Sequence, residues 1–162
     1  MISCNPEKSK LVFNLKADLR KVSLEFGQVE KPNFILFKEA INVFENILKF
    51  TKTKFDDADM DDRTYIFRMF KVLVRCFGTR DLDWFCAIES VINSIFNLHS
   101  VNGPQYAKLT IEQLCQAMSD AGPDSITEIH YAQIFFVVGH VSIKMLTFIE
   151  NLNNEVEEIV NS

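Results

Sequence analysis

The sequence has few of the residues that tight turns require. Only five glycines and four prolines occur among 162 residues, whereas an all-β chain of this length needs many turn positions of these types. Hydrophobic residues make up 48% of the chain and charged residues 24%, which are usual proportions for a globular protein. The composition argues against a turn-rich β design and favours one all-helical unit over residues 1–162.

Cysteines are few and widely separated. Cys4, Cys76, Cys86 and Cys115 form no C-x-x-C pair, and none has a histidine at zinc-finger spacing. Single cysteines in apolar helical segments are typical of small buried thiols. Their scatter favours a reducing compartment, the cytosol or the nucleus.

The chain also lacks a surplus of positive charge. Its net charge is −5, and strong binding to a phosphate backbone depends on Lys and Arg that displace counterions. One local basic cluster is present near the N-terminus, and we interpret it as a solvated helix face: Lys8, Lys10, Lys16, Arg20 and Lys21. The charge therefore predicts only weak or indirect contact with DNA.

Neither a signal peptide nor a membrane span is predicted. The first ten residues have no long apolar core after a basic start. The most apolar run begins at Ile134, and Gly139, His140 and Lys144 interrupt it well short of the roughly 20 apolar residues that a span needs.

Catalytic and metal-binding motifs are absent. The sequence contains no glycine-rich phosphate loop, G-x-S-x-G elbow or H-E-x-x-H motif. His130 and His140 lie ten residues apart on one predicted helix, and we expect them not to share a metal without a third element. An acidic stretch from Asp57 resembles a calcium loop, but Asp62 replaces the required glycine and Arg68 the required glutamate. We predict no enzyme activity, no cofactor and no small-molecule substrate.

What the sequence does contain is a helical period almost throughout. Apolar residues recur at steps of three and four, and Gly27, Gly78 and the Gly122-Pro123 pair are positioned to end helices. Residues 1–9 are polar and expected to fray. The predicted helices cover residues 10–26, 32–52, 62–77, 81–96, 104–120 and 125–160, with Pro32 and Pro104 as first residues and Asp81 as a cap.

Helix starts near Pro32, Asp81 and Ser125 recur every 45 to 50 residues, roughly. This interval is near that of HEAT and armadillo repeats, about 40 to 47 residues. It predicts HEAT-like antiparallel helix pairs, stacked as a short α-solenoid segment, with Trp84 as a packing anchor between repeats. A compact helical bundle is the alternative architecture.

The last predicted helix, within residues 125–162, is the most distinctive segment. Ser125 or Thr127 is expected to cap it, and Ser125 with Glu128 has the spacing of a capping box. His140 lies among valines and is expected to be a hydrogen-bonded core residue. Gly139 costs a helix about 1 kcal/mol relative to alanine, so we expect it to permit close approach of a neighbouring helix.

The segment Phe136-Val137-Val138-Gly139-His140-Val141-Ser142-Ile143-Lys144, followed by an apolar run and Glu150, resembles the "VGHVAIK…LE" segment of condensin complex subunit 1. That family is the HEAT-repeat non-SMC subunit of condensin. The resemblance covers residues 134–152 most clearly and continues more weakly towards residue 62. Ser142 stands where the family usually has alanine. Five residues are positions of the family motif, interpreted as structural: Val138, Gly139, His140, Val141 and Lys144.

The resemblance implies a non-catalytic scaffold in mitotic chromosome condensation. Its partners would be the kleisin and an SMC ATPase of condensin, and the SMC partners would hydrolyse ATP. It implies a location in the nucleus on chromosomes, with the cytoplasm as a second compartment. Members of the family are much longer, so it also implies a fragment, a truncated gene product or a minimal relative.

Two other functions are compatible with the residues alone. One is another HEAT or armadillo adaptor, such as a transport or phosphatase scaffold. The other is a free-standing helical domain whose phenylalanines line a pocket for a small ligand. A list of partners would identify the first, and an internal cavity in a monomer would identify the second.

Overall fold

The computed structural model describes residues 6–50, 60–98 and 103–161. The described residues form six α-helices and one short 3₁₀ turn, with no strand among them, which confirms the all-helical prediction. Residues 1–5, most of the acidic stretch before residue 60, and the predicted break at residues 99–102 lie outside the described residues. The helices are α1 Pro6–Gln28, α2 Phe34–Phe50, α3 Met60–Arg75, α4 Asp83–Leu98, α5 Gly103–Ala121 and α6 Glu128–Val160.

Each described helix contacts the helix two places before or after it, and each also contacts at least one immediate neighbour in the chain. The odd-numbered helices follow one another in space, because α3 contacts both α1 and α5. The even-numbered helices do the same, with α4 between α2 and α6. Contacts between α1 and α2, α3 and α4, and α5 and α6 join the two series.

The core lies mainly among α2, α3 and α4, where the predicted apolar faces are buried. Ile41, Leu73 and Ile88 are each fully buried, and such a side chain stabilises a fold by about 1.5–3 kcal/mol. Trp84 is also fully buried, and its indole N–H donates to the carbonyl of Leu73 over 3.0 Å. Trp84 therefore anchors α4 to α3 within the core, as expected of a packing residue.

Several helix ends differ from the prediction. The side chain of Asn33, rather than Pro32, begins α2, because its Oδ1 accepts a hydrogen bond from the Leu36 N–H over 3.0 Å. Helix α1 begins at Pro6 and continues through Gly27 to Gln28, so Gly27 is not a cap. The Asp81 cap is confirmed, since its Oδ1 accepts from the Asp83 N–H over 3.1 Å.

The predicted stops after α3 and α5 are both confirmed. Gly78 has φ of 87° and Gly122 has φ of 75°, a backbone region that residues with a Cβ seldom adopt. These two glycines turn the chain where the apolar period breaks.

The cysteine environment was predicted wrongly. Cys86 and Cys115 are exposed, and Cys76 is half-buried. The helical period assigns each residue to a face of its helix. Whether a side chain on that face is buried depends on where the neighbouring helices lie, which the period does not specify.

Candidate functional site

Helix α6 carries the sequence motif, and its first turn is held by Thr127 and His130. The Thr127 backbone N–H donates to Nδ1 of His130 over 3.1 Å, and Thr127 Oγ1 lies 3.0 Å from the same nitrogen. The predicted Ser125–Glu128 capping box is wrong, because Ser125 belongs to the preceding 3₁₀ turn. An imidazole takes the place that glutamate or glutamine usually occupies in such a box.

Gln133 joins α6 to the turn between α3 and α4 through two hydrogen bonds. Its Oε1 accepts the Gly78 N–H over 2.7 Å, and its Nε2 donates to the Thr79 carbonyl over 3.0 Å. Gln133 is fully buried, and its amide oxygen and nitrogen each pair with a backbone group of the turn, as a buried amide requires. No motif in the sequence singles out Gln133, although it shares a four-residue spacing with Val137 and Val141.

His130 fits against the same turn. Its ring meets Phe77 edge-on with centroids 5.0 Å apart, and it occupies the space beside Gly78. A Cβ added at Gly78 would lie 2.1 Å from Nε2 of His130. The contact therefore requires glycine at position 78. Only glycine leaves room for the His130 ring and readily adopts the positive φ of this turn.

His140 is hydrogen-bonded as predicted, but it is half-buried rather than a core residue. Its Nε2 donates to Oδ1 of Asn93 on α4 over 3.0 Å, and its ring stacks on Phe136 at 6.1 Å. Burial lowers the pKa of His140 below its ordinary value, the Glu89 carboxylate acts in the opposite direction, and Lys144 adds to the lowering. The neutral imidazole is thus the form that the fold favours.

The remaining motif residues have different environments. Val141 is buried, and Val138 and Lys144 are half-buried. Gly139 is exposed, and a Cβ added there would meet no atom within 4 Å. The expectation that Gly139 permits close helix approach is wrong, because this side of α6 faces away from α4 and α5.

The second half of α6 has a different character. None of residues 145–160 is buried, although many are large and apolar. The exposed side chains include Ile149 at 47% and Val156 at 57%. An open cleft of about 300 Å³ separates this half from the end of α4, with Phe96, Phe148 and Leu152 among its lining residues.

By length and composition alone, α6 is long and apolar enough to cross a membrane, which the sequence analysis did not expect. In its most apolar 18-residue window only 17% of the residues are buried. A single helix of this kind is weak evidence for a membrane span, since the core helix of a protein passes the same test. The first half of α6 packs within the protein, where His130 and Gln133 form hydrogen bonds to protein groups.

One buried acidic group joins α2 to α4. Glu45 accepts hydrogen bonds from Ser94 over 2.8 Å and from Asn97 over 2.9 Å, and it pairs with Lys49. Burial raises the pKa of Glu45, but hydrogen bonds from Lys49, Asn97 and Ser94 outweigh it and hold the pKa below its usual value. The arrangement is a satisfied ion network within the fold rather than a reactive carboxylate.

Within the part of the chain that the structure describes, no cluster of three or more His, Cys, Asp or Glu side chains could hold a metal ion. Tyr65 has a buried hydroxyl without a hydrogen-bond partner among the described residues, and burial raises its pKa. The Tyr65 ring packs against the Phe44 ring in the apolar core, with ring centroids 4.2 Å apart. The exposed apolar half of α6 is therefore the candidate binding surface among the described residues.

Comparison of the chain with protein-family models, with curated proteins and with solved structures finds no match.

Proposed function

We propose that this chain is a non-catalytic scaffold that binds other proteins and is built as a short α-solenoid of HEAT-like helix pairs. The observation that carries the architecture is the contact pattern, in which each helix packs on the helix after next in its own series. Stacked repeats contact their neighbours in this way, and they leave an open apolar face at the end of the stack. The exposed second half of α6 fits such a face.

Within this class, we propose the condensin regulatory subunit as the function, with kleisin and SMC subunits as partners in mitotic chromosome condensation. Support comes from the motif segment around Gly139 and His140, whose resemblance to condensin complex subunit 1 is described above. The engagement of His140 by Asn93 agrees with a structural role for that motif position. A net charge of −5 favours indirect rather than direct contact with DNA.

An adaptor of another HEAT or armadillo class is the second candidate, because the same contact pattern supports it equally. The small-ligand alternative has less support. Phe34, Phe37, Phe44 and Phe70 are at most 2% exposed, so these rings fill the core rather than line an open pocket.

The test is affinity purification of the tagged endogenous protein from dividing cells, with mass spectrometry of the bait and its partners. An untagged culture is the control. We expect SMC ATPases and a kleisin to be enriched. Enrichment of a different set, such as transport factors or a phosphatase, would overturn the condensin proposal and favour the adaptor. A bait recovered without any partner would overturn both.

A further inference from the structure

The second half of α6 presents one continuous apolar face. At about 100° per residue, its large apolar side chains cover an arc of roughly 160°, which is wider than the apolar stripe of an ordinary surface helix. Only Asn153 interrupts it. The residues of this arc, called here the apolar arc, are Met145, Leu146, Phe148, Ile149, Leu152, Val156, Ile159 and Val160.

The apolar arc is open to solvent and has coiled-coil spacing. Ile149, Leu152, Val156 and Ile159 follow one another at steps of three and four, which is the heptad pattern of a helix that pairs with another helix. Their exposures are 47%, 41%, 57% and 74%. Contiguous exposed apolar surface of this kind marks an interaction site.

Negative charge borders the apolar arc on both sides. Glu155 lies along one edge and Glu150 and Glu157 along the other, by the same helical projection, whereas Glu158 lies on the opposite, polar face. Residues 145–160 contain no Lys, Arg or His. Of these glutamates, only Glu155 occupies a flanking position in the heptad register of Ile149 and Leu152. Charges that border an interface favour a partner of the opposite sign, so the acidic border of the apolar arc favours a helix with basic flanks.

A second copy of this chain is a poor occupant. Pairing α6 with itself would bring three glutamates from each copy to one seam, with Lys144 at its start as the nearest cation, and like charges across an interface cost several kcal/mol. A membrane surface is also disfavoured. Helices that lie on membranes carry Lys and Arg on their polar face, whereas the only charged residues among 145–160 are glutamates.

We infer that the apolar arc docks an amphipathic helix of a partner protein, one whose apolar face is flanked by Lys and Arg. The cleft of about 300 Å³ beside Phe96 and Phe148 is lined by polar side chains as well, including Asn97 and Glu155. It would receive a long side chain of that helix with an apolar stem and a polar end. The inference does not rest on the condensin proposal, because it uses only the exposure, spacing and charge of residues 145–160.

The direct test is binding of a synthetic helical peptide to the purified 162-residue chain, measured by fluorescence anisotropy. The probe is about three heptads long, with leucine at the core positions and lysine at the flanking positions. The matched control peptide has glutamate in place of every lysine. We expect the lysine peptide to bind at least about tenfold more tightly, with a difference that shrinks as salt is raised.

Two matched pairs of variants locate the site. Ile149→Asp should weaken binding of the lysine peptide about tenfold or more, because a carboxylate would enter the apolar seam. Ile35→Asp on α2, where Ile35 is 58% exposed, should leave binding unchanged. Far-UV circular dichroism establishes that both variants remain folded.

The second pair tests charge. Changing Glu150, Glu155 and Glu157 to glutamine should weaken binding and reduce its salt dependence. The same change at three exposed glutamates elsewhere, with an equal change in net charge, should have a much smaller effect: Glu25, Glu39 and Glu112.

Several results would overturn the inference. Equal affinity for the two peptides, or equal loss in the site and control variants, would show that the apolar arc does not select a basic helix. A dimer in light scattering that Ile149→Asp dissolves would identify a second copy as the occupant. Co-sedimentation with phosphatidylcholine vesicles, abolished by Ile149→Asp but not by Ile35→Asp, would identify a lipid surface instead.

Discussion

The two halves of α6 are both rich in apolar residues, yet only one of them is packed. The first half buries His130, Gln133, Val137 and Val141, whereas none of residues 145–160 is buried. The packed half differs by having polar side chains with specific partners on other helices, such as Gln133 with the Gly78 turn and His140 with Asn93. The comparison indicates that apolar periodicity produces an apolar helix face, and that hydrogen bonds to particular groups help to determine where this face packs.

Glycine substitutions should give the largest contrast between the docked and the open side of α6. We expect Gly78→Ala to destabilise the fold by about 3 kcal/mol. Alanine is strained at the positive φ of this position, and its Cβ would clash with the His130 ring. Gly139→Ala should instead stabilise it by roughly 0.5–1 kcal/mol, because the site is helical and open. The measurement is chemical denaturation followed by circular dichroism. The same sign for both would contradict the described packing of α6 on the α3–α4 turn.

An intermediate effect is expected at Gln133. Gln133→Ala removes both hydrogen bonds to the turn and should cost about 2 kcal/mol, because the Gly78 N–H and the Thr79 carbonyl lose their partner. The matched control is Asn154→Ala in the exposed half, which should change the free energy of unfolding by less than about 0.5 kcal/mol. Urea titrations of the two variants measure the contrast. Equal effects would show that Gln133 is not a docking residue.

The smallest expected effect is a pH dependence that originates in the docked half. The folded-state pKa of His140 lies below its ordinary value of 6.5, so the unfolded chain binds more protons near and below that pH. This contribution to stability is present above pH 6.5 and is lost as pH falls from 6.5 towards the folded-state pKa.

Denaturation midpoints measured at pH values of about 7.5, 6.5 and 5.5 should therefore decline, and His140→Gln should reduce that decline. Glu45 does not interfere, because its pKa is held below the usual 4.5, and its contribution is lost only as pH falls below that value. A decline unchanged by His140→Gln would assign the pH dependence to other groups.

Much of the fold follows from patterns in the chain. The three-and-four spacing of Phe37, Ile41 and Phe44 identifies a buried helix face, and Gly78 and Gly122 mark helix ends. These predictions succeed because helical period and backbone permissiveness act over a few residues. Boundaries were less accurate where a cap was overlooked, as at Asn33, or where two caps were possible, as at Ser125 and Thr127.

The site was only partly predictable for the same reason. His140 was expected to be hydrogen-bonded, but its partner Asn93 lies 47 residues away. Gln133 and the turn it holds are separated by 54 and 55 residues. No local spacing identifies such partners, because they depend on how α6 lies across α3 and α4.

The sequence by itself determined that this protein is helical, where most of its helices begin and end, and that the last helix runs unbroken from Glu128 to Val160. Only the tertiary structure decided which part of that helix is covered. A helix forms from interactions within one segment, whereas burial requires a second surface, and that surface is present beside Val137 and Val141 but not along residues 145–160.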